Sequence, residues 1–354
     1  MAVVDIPSSS ACVEVSIING GWGHGLPCGS WFDPAFKGLD TFSLCSYAFL
    51  VTHDDGARRR QVLFDLGIRK DWQNLVPRVT KLFKMHDARV VVEDDVSDIL
   101  EKNGVDLNGI EAIVWSHLHW DHTGNPSKFP ATTKVIVGPG IKDRYMPGWP
   151  ANLSAEFKQE DIMGKKVVEI SRGDFNVSIG GFRGYDYFGD GSFFLLDAPG
   201  HSLGHINALA RTNSDPESYM FLAADSIHFG GEFRPSNLLP LPDTIRDGKP
   251  PLPDPCADEV LLKMHPTQSR VEPFLTLSST FPEDLSLAEE TIKSLQEFDA
   301  DARVLILFSH DVTLFDTLPY FPKNANDWLK TGMKESTRWA FLSDLYGMIH
   351  GVSH

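Results

Sequence analysis

Short apolar runs recur along the chain between clusters of glycine, proline and aspartate. Runs of this length, bounded by turn-forming residues, predict β-strands. We place the predicted strands at residues 12–18, 44–52, 61–64, 113–115, 134–137, 166–170, 193–197, 208–210, 220–222 and 303–308. The second and third of these strands are separated only by a polar stretch, which predicts a hairpin.

Two segments have the spacing of amphipathic helices. Val96, Ile99 and Leu100 fall on one helical face, and Gly104 follows them as a stop signal. Residues 285–298 form the second predicted helix. Strands and helices alternate and divide into two similar halves, and this order predicts sheets that are covered by helices.

The composition is that of a globular protein. Hydrophobic residues make up 42% of the 354 residues and charged residues 23%, which is enough apolar material for a sizeable core. We predict one domain over residues 1–354. The proline-rich stretch at about 238–256 is predicted to be a loop insert, and residues from about 313 to 354 a C-terminal extension.

The net charge of −16 argues against a nucleic-acid-binding protein, because such proteins neutralise phosphates with basic surfaces. The dense basic run at residues 58–60 is predicted to lie at the hairpin tip. No stretch approaches ~18 consecutive apolar residues, and the N-terminus lacks the pattern of a secretory signal. We therefore expect no membrane association and a cytoplasmic location.

The cysteines do not show the paired spacing of a zinc ribbon or the density of a disulfide framework. Reduced, unpaired thiols are the expected state in a reducing compartment. The four residues are Cys12, Cys28, Cys45 and Cys256.

Four side chains of metal-ligand type stand close together in the segment WSHLHWDHTGN, residues 115–125. His117 and His119 alternate, so in an extended backbone both point to one side. Asp121 and His122 follow after a turn and can face a second point. Imidazole and carboxylate both suit zinc at ~2.0–2.2 Å, so the segment predicts ligands for one metal ion and a neighbouring one. The alternative, a polar surface turn with histidines by chance, is disfavoured by this spacing.

Three further candidates stand immediately after predicted strands. They are His201 in PGHSLGH, Asp225 in AADS and His310 in FSHD. Each of them alone would more often be a hydrogen-bonded core or loop residue. Their value lies in joining the histidine cluster, since a metal centre needs more ligands than one segment supplies.

The ordered motifs HLHWDH, PGHSLGH, AADS and FSHD resemble the metallo-β-lactamase superfamily over about residues 40–312. The resemblance is strongest to its N-acyl-homoserine-lactonase-like branch and related lactone and lactam hydrolases. It implies an α/β fold, a four-layer αββα sandwich with the metals at one edge. It also implies that one metal is bound by His117, His119 and His201, the other by Asp121, His122 and His310, and that Asp225 bridges them.

Two positions narrow the branch that the chain resembles. Asp225 stands where some true β-lactamases place a cysteine, and His119 stands where the oxygen-reducing di-iron relatives place a glutamate. The resemblance therefore implies a hydrolytic site with two zinc ions per chain, for which manganese, cobalt and iron are the alternatives. Asp65 matches the family's Asp-x-Gly turn, whose aspartate orients a ligand histidine, and His205 is expected to be a second orienting residue.

One position departs from the homoserine lactonases. They place a tyrosine three residues after the bridging aspartate, where it helps to hold the substrate carbonyl, and this chain has His228. The histidine would either donate to an oxyanion in the same way or be an ordinary loop residue. The change puts a homoserine lactone substrate in doubt without excluding ring opening.

The implied activity is that of a metal-dependent hydrolase opening a lactone or lactam-type ring, in detoxification or quorum-signal breakdown. A metal-bridging hydroxide would attack the acyl carbon. Asp121 is the expected proton carrier, and His228 the second candidate catalytic residue. The expected partner is a small cyclic ester or amide, with no nucleic acid and no membrane, and the chain is expected to be a monomer or homodimer.

Substrate walls are expected from four aromatic segments, at residues 22–25, 31–36, 145–149 and 229–233. Three other functions remain open at this point. The first is a thioesterase of the glyoxalase II or polyketide-releasing type, which would use the same metals. The others are a nucleic-acid-processing relative, which the acidic charge disfavours, and a non-catalytic scaffold, which the complete ligand set disfavours.

Overall fold

Alternating apolar residues build two β-sheets that face each other. The computed structural model describes residues 3–27, 31–33, 41–246 and 251–350. Its strands are β1 (Val13–Pro27), β2 (Phe32–Asp33), β3 (Thr41–Asp54), β4 (Arg59–Phe64), β5 (Arg89–Val91), β6 (Ile110–Val114), β7 (Lys134–Val137), β8 (Val167–Glu169), β9 (Val177–Ile179), β10 (Phe182–Asp186), β11 (Phe193–Asp197), β12 (Ile206–Ser214), β13 (Glu217–Leu222), β14 (Thr244–Ile245), β15 (Cys256–Ala257), β16 (Thr276–Leu277) and β17 (Val304–Leu307). Its α-helices are α1 (Pro77–Met85), α2 (Val96–Lys102), α3 (Trp120–Thr123), α4 (Ile141–Tyr145), α5 (Asp258–Met264), α6 (Leu285–Ala300), α7 (Met333–Thr337) and α8 (Phe341–His350).

The first sheet has seven strands in the order β5-β1-β3-β4-β6-β7-β8, and the second has six in the order β17-β13-β12-β11-β10-β9. In the first sheet, β4, β6, β7 and β8 run parallel to one another. In the second, β13 and β17 are parallel, and β11 has the same direction because β12 is antiparallel to both β11 and β13. The carboxyl ends of β11, β13 and β17 therefore lie at the same edge of their sheet.

The core lies between the sheets because every second residue of their strands points inward. Val15 and Ile17 of β1 and Met220 and Leu222 of β13 belong to this central cluster, and none of the four is more than 1% exposed. The neighbouring Phe221 points to the other face of the second sheet. Two sheets with one face each against a common core form a sandwich.

Helices cover the outer face of each sheet. Ile292, Leu295 and Phe298 recur along one face of α6 and pack on the second sheet. Val96 and Leu100 of α2 pack on the first sheet. The order helix, sheet, sheet, helix confirms the predicted four-layer αββα sandwich.

Most predicted elements are present, with shifted ends. The predicted hairpin is confirmed as β3 and β4, but residues 59 and 60 of the basic run begin β4, so only Arg58 lies in the connecting turn. Gly104 follows α2 with a φ of +81°, as a glycine that ends a helix commonly does. The predictions missed the short strands β2, β5, β9, β10, β14, β15 and β16 and the helices α1, α3, α4, α5, α7 and α8.

The two peripheral segments pack onto the sandwich. In the insert, β14 pairs with β15, and the described residues 238–246 and 251–256 are otherwise largely irregular. In the C-terminal segment, Trp328 is 1% exposed within the core between the sheets. The domain boundaries stay a prediction.

Cys45 and Cys256 are buried and Cys12 is partly buried, and all three are unpaired. Cys28 lies outside the described residues. Among the described helices, none is both long and apolar enough to span a bilayer.

Candidate metal centre

Polar side chains gather at the point where five strands end. His117 follows β6, His201 follows β11, Asp225 follows β13 and His310 follows β17, while Asp65 follows β4. The edges of the two sheets are joined beside them, because the backbone N–H of Ile206 donates to the carbonyl of Ser116 at 2.9 Å. The seven predicted ligand residues therefore come to one place from the ends of four strands, with four of them in the segment that follows β6.

Three imidazoles form the first group. His117 Nε2 lies 2.8 Å from His119 Nδ1 and 3.2 Å from His201 Nε2, and His201 Nε2 lies 3.0 Å from His119 Nδ1. Ligands of a tetrahedral metal with bonds of ~2.0 Å are separated by about 3.3 Å. The three nitrogens are thus spaced closely enough to bind one ion.

A carboxylate and two imidazoles form the second group. His310 Nε2 lies 3.5 Å from Asp121 Oδ2, and His122 Nε2 lies 3.9 Å from the same oxygen. The donor atoms of these three residues all lie within 4.8 Å of one another. His122 is fully buried and the other two are almost so, which leaves each of them facing the cluster rather than solvent.

Asp225 stands between the two groups. Its Oδ2 lies 3.6 Å from both His117 Nε2 and His201 Nε2, and 3.2 Å from His310 Nε2. Its Oδ1 lies 3.0 Å from His122 Nε2. Burial opposes ionisation, but His122 and His310 hold the pKa of Asp225 well below its usual range, so the carboxylate is charged.

The electrostatics of the cluster suit a bound cation. His122 Nε2 and Asp225 Oδ1 are buried, lie 3.0 Å from each other and have no other hydrogen-bond partner among the described residues. Burial, together with the neighbouring imidazoles, lowers the pKa of His117 and of His201 well below the usual value, which favours the neutral ligand form. Burial acts in the same direction on His122 and His310, but the Asp225 carboxylate raises the pKa of both, so these two rings must lose a proton to bind a metal. Buried polar atoms left without partners are costly, and metal ions would satisfy them.

The ligand-type histidines are oriented by acceptors behind their other ring nitrogens. Asp65 Oδ2 lies 2.8 Å from His122 Nδ1, and the carbonyl oxygen of Cys45 lies 2.7 Å from His310 Nδ1. Asp65 also accepts from the backbone N–H of Ser116 at 2.7 Å. A proton on each Nδ1 leaves the Nε2 lone pair free to face the cluster.

His205 supports the cluster through the backbone. Its Nδ1 lies 3.0 Å from the carbonyl oxygen of Ala198, and its Nε2 accepts from the backbone N–H of Asp225 at 3.2 Å. Burial lowers the pKa of His205 to about 3, so the ring is neutral and can accept this hydrogen bond. The geometry fits the orienting role expected from the sequence.

A cavity of about 440 Å³ opens onto the two groups. Its polar floor includes His119, Asp121, His201, Asp225, His228 and His310, and its walls include Trp31, Leu44, Val79, Leu82, Trp120 and Phe281. A smaller cavity of about 220 Å³ adjoins it, and an ion pair between Arg78 and Glu156 borders both. A volume of this size with apolar walls and a few convergent polar groups is typical of a small-molecule site.

The predicted walls were only partly right. Trp31 lines the main cavity and Tyr145 lines the smaller one. Trp22 instead lines a separate cavity, and Phe229 and Phe233 are buried in packing clusters. Residues 34–40, which include the predicted Phe36, lie outside the described residues.

Sequence reasoning missed the wall that α1 provides. Val79 and Leu82 lie three residues apart on this helix, and Pro77 is its first residue, a position that proline favours. The spacing of these two apolar residues, after a proline, is typical of the start of an amphipathic helix, so α1 could have been predicted from the sequence. Phe281 and Glu156 lie in segments without a comparable pattern.

Comparison with known proteins agrees with the geometry. A family model described as the metallo-beta-lactamase superfamily matches residues 46–212. The gamma-lactamase FDB1 of Fusarium pseudograminearum (strain CS3096) is 40% identical over 350 residues, which cover 96% of this chain and 84% of that protein. The chain belongs to the metallo-β-lactamase superfamily. The family-model match includes the segment that carries His117, His119, Asp121 and His122, and also His201.

Two further similarities extend the comparison. The cytochrome P450 monooxygenase mpaDE of Penicillium roqueforti (strain FM164) is 38% identical over 359 residues, and the match spans 99% of this chain but 39% of that protein. A structure of a B. thuringiensis AiiA variant with N-decanoyl-L-homoserine bound at its active site has a TM-score of 0.58 at 19% identity, covering 89% of this chain and all of that one. At this identity the structural likeness shows the shared metallo-β-lactamase fold.

Replacing Asp65 by asparagine is expected to weaken metal binding by about 10-fold to 100-fold, because His122 loses the carboxylate that fixes its tautomer. Competition between the metal-free variant and a chromophoric chelator measures this affinity. Asp143→Asn, which changes an exposed aspartate of α4, is the matched control and is expected to bind metal like the unaltered chain. Unchanged affinity in Asp65→Asn would show that this carboxylate does not orient a ligand.

Proposed function

We propose that this protein is a dinuclear metal-dependent hydrolase that opens a lactone or lactam-type ring. The observation that carries the proposal is the gathering of seven donor residues from several strand ends beneath one apolar-walled cavity. A gamma-lactamase among the relatives supports a cyclic amide or ester as the substrate class. Zinc is the proposed metal, because five of the seven ligands are imidazoles.

The proposed ligands divide as the geometry groups them. His117, His119 and His201 hold one cation, and Asp121, His122 and His310 hold the other. Asp225 is shared, since one of its oxygens lies within 3.6 Å of nitrogens from both groups. When bound, a pair of cations supplies a nucleophilic water at neutral pH and polarises the scissile carbonyl.

Asp121 is the proposed proton carrier. Its side chain borders the main cavity, while Ser46 donates to its backbone carbonyl at 2.6 Å and fixes the residue in place. A carboxylate at this position takes a proton from the attacking water and delivers it to the leaving oxygen or nitrogen. Ring opening needs this transfer, because the leaving atom stays attached to the product and must be neutralised.

The walls of the cavity favour an apolar ring. Trp31, Leu44, Val79, Leu82 and Phe281 surround the space above the donor cluster. Burial of an apolar substrate against these side chains contributes roughly 25 cal/mol of favourable free energy per Å² of apolar surface removed from water. This binding holds the acyl carbon close to the donor groups and excludes bulk water from the reaction.

The test is a substrate panel of lactones, lactams, cyclic carbamates and thioesters, offered to purified zinc-loaded protein and to the same protein after chelation. We expect ring opening of a lactone or lactam with kcat/KM of about 10⁴ M⁻¹s⁻¹ or more, and its loss after chelation. Hydrolysis confined to thioesters would replace the proposal with a thioesterase of the glyoxalase II or polyketide-releasing type. Ring opening that survives complete metal removal would contradict the proposed mechanism.

A further inference from the structure

His228 lies against the donor cluster as an additional imidazole. It is 2% exposed, and its Nε2 lies 3.5 Å from Asp225 Oδ2. Its donor atom falls within 4.8 Å of those of Asp225 and His310. Both of its ring nitrogens are buried and lack a hydrogen-bond partner among the described residues. Buried ring nitrogens normally form hydrogen bonds or bind a metal, and the protein groups around His228 provide no hydrogen bond.

Glu232 lies behind this imidazole. It is fully buried and accepts hydrogen bonds from the backbone N–H groups of His228 and Phe229. Its Oε2 lies 3.9 Å from His228 Nδ1, and its Oε1 has no partner among the described residues. The carboxylate therefore stands on the Nδ1 side of the ring, while Nε2 faces Asp225.

Two proposed ligands have an acceptor on the same side of the ring, at hydrogen-bond distance rather than at the 3.9 Å that separates Glu232 from His228. His122 has Asp65 behind its Nδ1, and His310 has the carbonyl of Cys45 behind its Nδ1. In each case an acceptor at Nδ1 leaves the Nε2 lone pair directed at the cluster, which is the usual geometry of metal-binding histidines. A proton held on the Nδ1 of His228 towards Glu232 gives His228 the same orientation.

The packing of two aromatic side chains restricts the orientation of the His228 ring. The rings of Trp31 and Phe281 lie 5.4 Å and 4.8 Å from that of His228, and both are steeply inclined to it. All three rings line the main cavity. Because interiors are close-packed, rotation of the ring away from Asp225 would need both aromatic side chains to move.

We propose that His228 is a further protein ligand of the metal that His310 and Asp225 hold, and that Glu232 is its positioning residue. This inference rests on the proposed dinuclear centre and adds a ligand to it. It differs from the role that the sequence suggested, because an Nε2 that carries a lone pair towards the cluster cannot donate to a substrate oxyanion. An additional imidazole favours zinc, cobalt or nickel over magnesium or calcium at this position.

The experiment is a cobalt(II) titration of the metal-free full-length chain, read by visible absorption and by competition with a chelator. The unaltered chain is expected to bind two ions. His228→Phe is expected to bind the first ion normally and the second at least about 10-fold more weakly, with a changed absorption band because the coordination number changes. Glu232→Gln, which keeps His228 in place, is expected to weaken the same ion. His86→Phe, which changes an exposed histidine beyond the cluster, is the control and should match the unaltered chain.

The outcomes separate this inference from the proposed function. Two ions in the unaltered chain and unchanged affinity and spectrum in His228→Phe would overturn the ligand assignment and leave the dinuclear centre standing. A fall in turnover with unchanged metal binding would likewise overturn it, and would favour contact of His228 with substrate. Fewer than two ions in the unaltered chain would overturn the proposed function itself. If circular dichroism shows that His228→Phe does not fold, the cobalt titration of Glu232→Gln is used instead. Unchanged cobalt affinity in Glu232→Gln would then overturn the inference.

Discussion

Replacing Asp225 by asparagine is expected to lower kcat/KM for ring opening by about 10³-fold. The carboxylate is 3% exposed and lies within 3.6 Å of nitrogens from both donor groups, so its charge acts on both proposed metal positions. Asparagine keeps the size and removes the charge. Loss of several kcal/mol of electrostatic stabilisation corresponds to this change in rate, at about 1.4 kcal/mol for each factor of ten.

The measurement is steady-state kinetics on the best substrate of the panel, together with the metal content of each sample. Asp197→Asn is the matched control, because Asp197 is an aspartate at the end of the neighbouring strand β11 that belongs to none of the donor groups. It should hydrolyse the substrate at the rate of the unaltered chain. An Asp225→Asn variant with full activity would show that the charge of this carboxylate is not needed for hydrolysis.

Replacing Gly67 by alanine is expected to lower the free energy of unfolding by about 3 kcal/mol, the sum of a left-handed backbone cost and a steric cost. Gly67 has a φ of +62°, and a Cβ built there would lie 2.4 Å from Gly20 Cα and 2.6 Å from its carbonyl oxygen. Both contacts are with the backbone of β1, which cannot move aside as a flexible side chain can. The Asp-x-Gly turn therefore needs glycine for two reasons, and Asp65 of the same turn orients His122.

Urea unfolding of the metal-free chain measures this change. Gly104→Ala separates the two costs, because Gly104 has a φ of +81° but open space where a Cβ would stand. It should destabilise the chain by only about 1 kcal/mol. Equal losses in the two variants would show that close contact with β1 contributes nothing.

The metal cluster was predictable because much of its information is local. His117 to His122 fall within one short segment, and His201, Asp225 and His310 each stand directly after an apolar strand. Since the carboxyl ends of neighbouring parallel strands meet at one edge of a sheet, a list of polar residues after strands is already a spatial prediction. The structure brings these residues together as the sequence indicated.

The walls of the cavity were less predictable because they depend on contacts between distant segments. Trp22 and Trp31 are both aromatic residues near the N-terminus, yet Trp22 stacks against His24 and lines another cavity while Trp31 contacts His228. Composition does not distinguish them. The difference arises from where β1 lies in the first sheet and from the segment that contributes Phe281, which are properties of the tertiary fold.

Small elements were missed for a related reason. The three-residue strand β9 and the five-residue strand β10 are too short to show a clear alternation, and they are stabilised by pairing at the edge of the second sheet. The helices α5 and α8 contribute to one hydrophobic cluster, which includes residues of the insert and lies apart from the two large sheets. Their stability comes from tertiary packing, which outweighs intrinsic propensity in short helices.

The most direct test of the account is an anomalous-difference map at the zinc absorption edge, from crystals of the zinc-loaded chain. The account predicts two peaks per chain, one bounded by His117, His119 and His201 and the other by Asp121, His122 and His310, with Asp225 in contact with both. A single peak, or two peaks away from these side chains, would contradict the dinuclear centre on which the proposed hydrolysis depends.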